Sequence, residues 1–238
     1  LNILNGGAHA ASNVDVQEFM VMPHGFDTFE DGLRAGVETY HALKAELKKD
    51  GLLGGIGDEG GFAPNLPANE DGLKYMVRAI EGAGYSTEEI GIALDVASTE
   101  FLKDDGYHME GKVLSSEEMV EMYGRWLDDY PILSIEDGFG EDDWRGWSAF
   151  TKAYGHRVQS VGDDLFVTQS ERLSQGIELG AANAMLVKVN QVGTITETLE
   201  AMDLASTNGM NNVVSHRSGE SEDVTIADFA VGTRAGQI

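Results

Sequence analysis

The stretch Ile132-Leu-Ser-Ile-Glu136 decides the fold class of this chain, because a short apolar run ends there in a charged residue. An amphipathic segment, Trp144–Tyr154, follows it, and the next short run spans Gln159–Asp163. Strands that alternate with helices of this length indicate right-handed parallel crossovers. The stretch therefore predicts a parallel α/β fold.

The same strand–helix unit recurs on both sides of this stretch. The predicted strands of the repeating part are Ile90–Asp95, Ile132–Glu136, Gln159–Asp163, Ala184–Lys188 and Asn212–Ser215. The predicted helices are Ser115–Tyr130, Trp144–Tyr154, Ser170–Leu179 and Thr194–Asn208. Ser115 and Glu118 have the spacing of a capping box, which indicates a helix start.

The first 85 residues follow a different pattern. Leu1–Leu4 and Phe19–Met22 read as strands with no helix between them, and Thr28–Lys49 and Glu70–Ala83 read as helices. This ββαα opening before βα repeats predicts a TIM-type barrel with seven of its eight strands present. We expect residues 1–238 to form one domain, truncated at both ends, since the chain starts at Leu1 inside an apolar stretch and stops where an eighth strand should begin.

Composition narrows the possible partners. Sixteen Lys and Arg residues against 41 Asp and Glu give a net charge of −25, and the sequence pI is about 4.3. Such a surface repels nucleic acid and anionic lipid. No apolar run reaches the ~18 residues of a membrane helix. The absence of cysteine excludes disulfides and thiolate chemistry, and it favours a cytoplasmic protein.

Polar residues stand at the ends of the predicted strands. In chain order they are Asp95, Glu136, Asp163, Lys188 and His216, at steps of 41, 27, 25 and 28 residues. In a TIM-type barrel the carboxyl ends of the strands meet at one mouth, where catalytic groups gather. One such residue alone would read as a solvated strand-end charge, but five at the same phase predict a single site.

Three of these residues are carboxylates, which raise one another's pKa unless a cation lies between them. Asp95, Glu136 and Asp163 offer only hard oxygen ligands, which favour Mg²⁺ over zinc, while ligand type leaves Mn²⁺ and Ca²⁺ open. Lys188 interrupts the apolar run Met-Leu-Val-Lys-Val. Burial and a nearby cation should lower its pKa and make it a general base. The alternative is a lysine that extends to solvent at the rim.

The segment Gly55-Ile-Gly57-Asp-Glu-Gly60 matches the G-x-G-x-x-G pattern of dinucleotide sites. That pattern must follow a strand and open a helix, whereas Pro64 comes four residues later here. The acidic pair Asp58 and Glu59 would also repel a pyrophosphate. We expect a loop that presents Glu59 as a candidate acid, with a plain tight turn as the alternative.

Further polar groups come from other strand ends. The segment His216-Arg217-Ser218-Gly219-Glu220 combines a fixed cation with a hydroxyl and suits a phosphate group. Asn5-Gly-Gly-Ala-His9 and Gln17-Glu18-Phe19 add polar residues after the first strand and at the start of the second. The four remaining histidines are interpreted as surface residues: His24, His41, His108 and His156.

The chain resembles the enolase family in motifs that run in family order over almost its whole length. They are Asn5-Gly-Gly-Ala-His9, Gln17-Glu-Phe-Met20, Gly57-Asp-Glu-Gly-Gly61, Ala93-Leu-Asp-Val-Ala-Ser98, Ser134-Ile-Glu-Asp137, Gly162-Asp-Asp-Leu165, Leu186-Val-Lys-Val-Asn-Gln191 and Ser215-His-Arg-Ser-Gly-Glu220. Eukaryotic members usually carry proline at the position of Gly138. The glycine found here resembles the bacterial type of the family.

The resemblance implies Mg²⁺-dependent, reversible dehydration of 2-phospho-D-glycerate to phosphoenolpyruvate, the hydro-lyase step of glycolysis. It implies roles for three groups of residues in this chain. The implied metal ligands are Asp95, Glu136 and Asp163. The implied proton-transfer residues are Lys188 at C2 and Glu59 at the C3 hydroxyl, supported by Glu18. The implied phosphate and pocket residues are Arg217, Ser218, Gln17, His9 and His216.

The family resemblance also implies features that we expect to lie outside residues 1–238. Family members carry an N-terminal capping domain that ligates a second Mg²⁺, and a lysine just beyond the position of Ile238. We therefore expect one of two Mg²⁺ ions to be held by residues present here, Lys188 and Glu59 to face one cavity, and the chain alone to be nearly inactive. A homodimer or an octamer of dimers is expected for the full-length form. The alternatives are a non-catalytic binding or structural piece, or another acid dehydratase or racemase of the superfamily.

Overall fold

The computed structural model describes residues 1–219 and 221–238. By internal contacts the chain divides into two compact units, Leu1–Ile135 and Glu136–Ile238, which are described separately below. The interpretation of residues 1–238 as one domain stays a prediction. No helix within the described residues has both the length and the apolar character needed to cross a lipid bilayer.

Strands and helices alternate through most of both units. In the first unit they are β1 Asn2–Asn5, β2 Glu18–Pro23, α1 Phe29–Lys49, β3 Gly55–Ile56, β4 Phe62–Ala63, α2 Asn69–Gly82, β5 Ile90–Asp95, β6 Leu102–Lys103, β7 Gly106–Met109, β8 Lys112–Leu114, α3 Ser116–Asp129 and β9 Ile132–Glu136, whose last residue opens the second unit. In the second unit they are α4 Trp144–Tyr154, β10 Gln159–Gly162, α5 Ser170–Leu179, β11 Ala184–Val187, α6 Val189–Val192, α7 Ile195–Thr207, β12 Asn211–Val214 and α8 Thr225–Thr233.

The opening of the first unit has the predicted ββαα order. Strand β2 pairs antiparallel with β1 on one side and with β5 on the other, and β1 also pairs in parallel with β4. Helices α1 and α2 pack against each other. All six residues of β5 are buried. A strand buried on both faces lacks polar alternation, and β5 accordingly has no polar side chain before Asp95 at its end.

A three-stranded antiparallel sheet, in the order β6-β7-β8, lies between β5 and α3 in the chain. It accounts for the long first step between strand ends, because these residues are added to one strand–helix unit. Tyr107 and Met109 are its buried anchors. Helix α3 then begins with the predicted capping box, in which Ser115 and Glu118 satisfy each other's backbone N–H groups.

The second unit contains parallel pairs β10–β11 and β11–β12. Every residue of β11 is buried, and helices α5 and α7 pack against each other. After α8 the chain returns to β12, where the carbonyl oxygen of Gln237 accepts a hydrogen bond of 3.1 Å from the Val214 N–H.

The seven predicted long strands are confirmed within the described residues, with bounds that shift by one residue at several ends. Five short strands, β3, β4, β6, β7 and β8, were not predicted from the sequence, nor were the helices α6 and α8. The predicted strands have four to six residues, whereas the five others have two to four. The others are short pairs whose residues are partly exposed.

Substituting Gly176 with alanine is expected to destabilise the second unit by about 1–3 kcal/mol, as overpacking of a core does. An added Cβ would lie 2.3 Å from a ring carbon of the buried Phe166. Gly232→Ala is the matched control, because Gly232 lies in α8 with no heavy atom within 4 Å of the added carbon. Urea denaturation should show Gly232→Ala unchanged or up to ~1 kcal/mol more stable; equal stability of the two variants would contradict the packing.

Candidate active site

Three sequence-predicted residues meet in the first unit. His9 ends a short 3₁₀ turn, Glu18 is the first residue of β2, and Glu59 lies in the loop between β3 and β4. The Nδ1 atom of His9 is 3.2 Å from Glu18 Oε1 and 3.9 Å from Glu59 Oε2. Asn2 Nδ2 donates to Glu59 Oε2 at 3.1 Å. The structure thus brings two carboxylates and an imidazole into one cluster.

The Gly57–Gly61 loop that carries Glu59 packs tightly on Asn5. A Cβ at Gly57 or Gly61 would lie within 2.6 Å of Asn5 side-chain atoms, so only glycine fits at both positions. The loop closes with a 2.8 Å hydrogen bond from the Gly57 N–H to the Gly61 carbonyl. It runs on into β4 and not into a helix. The prediction that this segment is not a dinucleotide-binding turn is therefore confirmed.

Gln17 and Asp95 form a second pair in the first unit. Gln17 Nε2 donates to Asp95 Oδ2 at 2.8 Å, and the other oxygen, Oδ1, accepts from the Ala97 N–H at 3.0 Å. Asp95 is 6% exposed and ends β5, directly opposite Glu18 in the β2–β5 register. The predicted acid-supporting residue and one predicted metal ligand thus stand side by side on neighbouring strands.

Lys188 follows β11 in the second unit, and its Nζ donates to Asp163 Oδ2. Gln191 Nε2 donates to the other oxygen of Asp163 at 2.9 Å. Both members of the ion pair are largely buried, with 16% and 11% of their side chains exposed. Lys188 is thus held inside the protein by a carboxylate, and the alternative of a lysine that extends to solvent is wrong.

The expected low pKa of Lys188 is not found in this arrangement. Burial by itself lowers its pKa, but the charge of Asp163, the hydrogen bond to Asp163 and the charge of Glu136 outweigh it. The pKa of Lys188 therefore lies above its ordinary value. Burial and a nearby cation would lower this pKa, whereas direct pairing of the ammonium with a strand-end carboxylate reverses the direction of the shift.

Two residues that were not predicted as site residues, Asp137 and Asp164, lie beside Asp163. Carboxylate oxygens of Asp137, Asp163 and Asp164 all lie within 4.8 Å of one another. Asp137 follows the half-buried Glu136 at the end of β9 and is itself buried. The only sequence signal for it was its place in the motif Ser-Ile-Glu-Asp.

A cavity of about 460 Å³ in the second unit contains the predicted phosphate-binding segment in part. Its lining residues are Val189, Asn190, Gly193, Ser215, Arg217, Gly219 and Ile226. Arg217 Nη1 donates to Asn190 Oδ1 at 3.4 Å. His216 and Ser218 are exposed beside it, and Glu220 lies outside the described residues. Arg217 is the one cationic residue of this lining among the residues that the structure describes.

The structure brings the predicted residues together in two sets. In the first unit these are His9, Glu18 and Glu59, with Gln17 on Asp95. In the second they are Asp163 with Lys188, near Glu136, and the segment 216–218. Convergence of Asp95 with Glu136 and Asp163 on one metal, and of Glu59 and Lys188 on one cavity, stays a prediction. Of the histidines expected at the surface, three are exposed, and His108 is half-buried beside Asp105.

Strands that alternate with helices, with charged groups after the strand ends, are the pattern of α/β-barrel enzymes. The whole chain, residues 1–238, matches the family model described as "Enolase, C-terminal TIM barrel domain". The chain therefore belongs to this family, and the predicted TIM-type barrel is confirmed.

The chain is also similar to an enolase from Beutenbergia cavernae, with 59% identity over 239 residues. The match covers 100% of this chain and 56% of that relative, so the chain spans about half the length of the curated relative.

Proposed function

We propose that the full-length protein catalyses the Mg²⁺-dependent, reversible dehydration of 2-phospho-D-glycerate to phosphoenolpyruvate. The observation that carries this proposal is the buried Lys188 held against Asp163 at adjacent strand ends. Burying a lysine in that position costs folding free energy, so its presence there indicates a functional role. The 59% identity to a protein named enolase supports the same reaction.

The residues present fit a divalent cation. Asp163 and Glu136 raise the pKa of Lys188, which means that their negative charge already favours a cation at this point. The donors are carboxylate oxygens, which suit Mg²⁺. We propose that Asp95, Glu136 and Asp163 hold the ion. When bound, it would offset negative charge that develops on the substrate carboxylate.

Lys188 is the proposed base for the C2 proton of the substrate. Its ammonium is fixed by Asp163, and its backbone N–H donates to the Thr168 hydroxyl at 3.0 Å. These two contacts fix the direction of the side chain. The neutral amine is the form that removes the proton, and a cation bound to Asp163 would lower the pKa of Lys188 and favour that form. In the reverse reaction the same group returns that proton to C2.

Glu59 is the proposed acid for the C3 hydroxyl, with Glu18 and His9 beside it. Asn2 Nδ2 donates to Glu59 Oε2 at 3.1 Å, and His9 Nδ1 lies 3.9 Å from the same oxygen. A second carboxylate near the first favours retention of a proton in the cluster, which an acid needs. Loss of the C3 hydroxyl as water requires this proton.

The phosphate of the substrate is assigned to Arg217 and Ser218. Arg217 lines the cavity described above, and a guanidinium can donate two parallel hydrogen bonds to phosphate. In a chain of net charge −25, a fixed cation is needed where an anionic substrate binds. Gln17 and His216 are proposed as further substrate contacts.

A cytoplasmic location and a homodimer, or an octamer of dimers, remain proposals that rest on the family. A small phosphorylated substrate as partner is likewise proposed from the family. The acidic composition supports the expectation that nucleic acid is not a partner.

The test is formation of phosphoenolpyruvate, followed by ultraviolet absorbance, in the full-length protein with excess Mg²⁺. Arg217→Gln is expected to raise KM by about 10- to 100-fold, the loss of one or two charge-assisted hydrogen bonds. The control is Lys152→Gln, which removes one positive charge from an exposed position of α4 in the same unit. Absence of turnover in the parent protein would favour the non-catalytic alternative.

A further inference from the structure

The carboxylate of Asp137 accepts hydrogen bonds from the backbone N–H groups of two consecutive residues, Asp163 and Asp164. Its Oδ1 accepts a hydrogen bond of 2.9 Å from the Asp163 N–H, and its Oδ2 accepts one of 2.8 Å from the Asp164 N–H. Asp137 is 4% exposed. Hydrogen bonds from backbone N–H groups to a buried carboxylate are strong, because one partner is charged and water is excluded.

The backbone of Asp137 is strained in a way that supports this role. Its φ is 42°, in the left-handed region that non-glycine residues rarely adopt. Strain of this kind persists where surrounding contacts enforce it, and it clusters at functional sites. The Asp137 N–H also donates to the Val161 carbonyl at 3.0 Å, which ties the turn after β9 to strand β10.

The side chain of Asp163 is held from the other direction. Gln191 Nε2 donates to its Oδ1, and the Thr168 hydroxyl donates to Gln191 Oε1 at 2.9 Å. Thr168 also has a left-handed φ, of 55°, and is buried. Asp137 thus fixes the backbone of Asp163 while Gln191 fixes its carboxylate. The orientation of the Asp163 carboxylate is therefore set by contacts within the protein.

We propose that Asp137 is a positioning residue for the cation site: it sets the affinity for Mg²⁺ by orienting Asp163 through two backbone hydrogen bonds. This inference rests on the proposed function, in which Asp163 is a metal ligand. Asp137 is assigned a positioning role and not that of a ligand, because both of its oxygens are directed at the backbone N–H groups of Asp163 and Asp164. Groups that orient metal ligands typically contribute 10- to 100-fold, as an order of magnitude, to affinity.

Two variants of the full-length protein test the proposal. Asp137→Asn keeps the shape of the side chain but leaves one acceptor oxygen where there were two. Asp137→Gly removes both acceptors. Because glycine adopts φ 42° without strain, this variant is expected to fold even though the carboxylate is lost. Mg²⁺ titrated by calorimetry should show a Kd raised about 10-fold for asparagine and up to about 100-fold for glycine.

Asn183→Ala is the matched control. Its side chain caps the opposite end of the same strand, accepting from the Ser160 N–H at 2.7 Å and donating to the carbonyls of Gly155 and Val158. This variant should lower the melting temperature while its Kd for Mg²⁺ stays within about twofold. An equal loss of affinity in Asn183→Ala would reduce the Asp137 effect to general destabilisation and overturn the proposal.

Three other outcomes are decisive. An unchanged Kd in both Asp137 variants would overturn the positioning role alone. A loss in Asp137→Asn as large as in Asp163→Asn would make Asp137 a ligand, which also overturns it. A parent protein that binds no Mg²⁺ would overturn the proposed function itself. The parent titration therefore separates failure of the proposed function from failure of this inference.

Discussion

Replacing Lys188 with alanine in the full-length protein is expected to abolish exchange of the C2 hydrogen of 2-phosphoglycerate with solvent deuterium. A positioned general base contributes about 10²- to 10⁴-fold to rate, so turnover should fall at least that far. Nuclear magnetic resonance of the recovered substrate measures the exchange directly.

Two further variants separate the base from its surroundings. Lys188→Arg keeps a positive charge beside the buried Asp163, so the fold should survive, but an arginine does not release its proton and exchange should still be lost. Glu59→Gln should slow dehydration while some exchange remains, because the acid acts at C3. Equal loss of exchange in the Glu59 and Lys188 variants would refute this division of roles.

Glu136→Gln is expected to remove most of the stabilisation that Mg²⁺ gives to the protein. A ligand present at 100 times its Kd stabilises the native state by about 2.7 kcal/mol, and this gain disappears when binding is lost. The substitution keeps the shape of the side chain and removes its negative charge. That charge is one of the causes that raise the pKa of Lys188. The measurement is the melting temperature with and without Mg²⁺.

Glu178→Gln is the control for this experiment, since it removes one negative charge from an exposed position at the end of α5. Its Mg²⁺-dependent shift should match that of the parent protein. If Glu136→Gln keeps the full shift, Glu136 is not a metal ligand.

Features that depend on local sequence were predictable. A buried apolar run that ends in a charge, such as Ile132–Glu136, carries its own signal. So does the capping box of Ser115 and Glu118, which involves residues three apart. The positions of Asp163 and Lys188 at strand ends followed from the same runs, because the alternation of strands and helices fixes which end of each strand they occupy.

Features that depend on contacts between distant loops were not predictable. The hydrogen bond from the Asp163 N–H to Asp137 joins residues 26 apart in the sequence, and no local sequence pattern predicts it. The raised pKa of Lys188 was missed for the same reason, since Asp163 is 25 residues away. The sheet β6-β7-β8 was missed because its strands are two to four residues long, and periodicity needs a longer window.

The antiparallel register of β2 and β5 has an evolutionary consequence. It pairs six residues of each strand, from Glu18 opposite Asp95 to Pro23 opposite Ile90. Because neighbouring residues of a strand point to opposite faces, one inserted or deleted residue within β2 would send either Glu18 or the buried Phe19 and Val21 to the wrong side. We therefore expect insertions and deletions among relatives to fall in the connecting loops and not within these two strands.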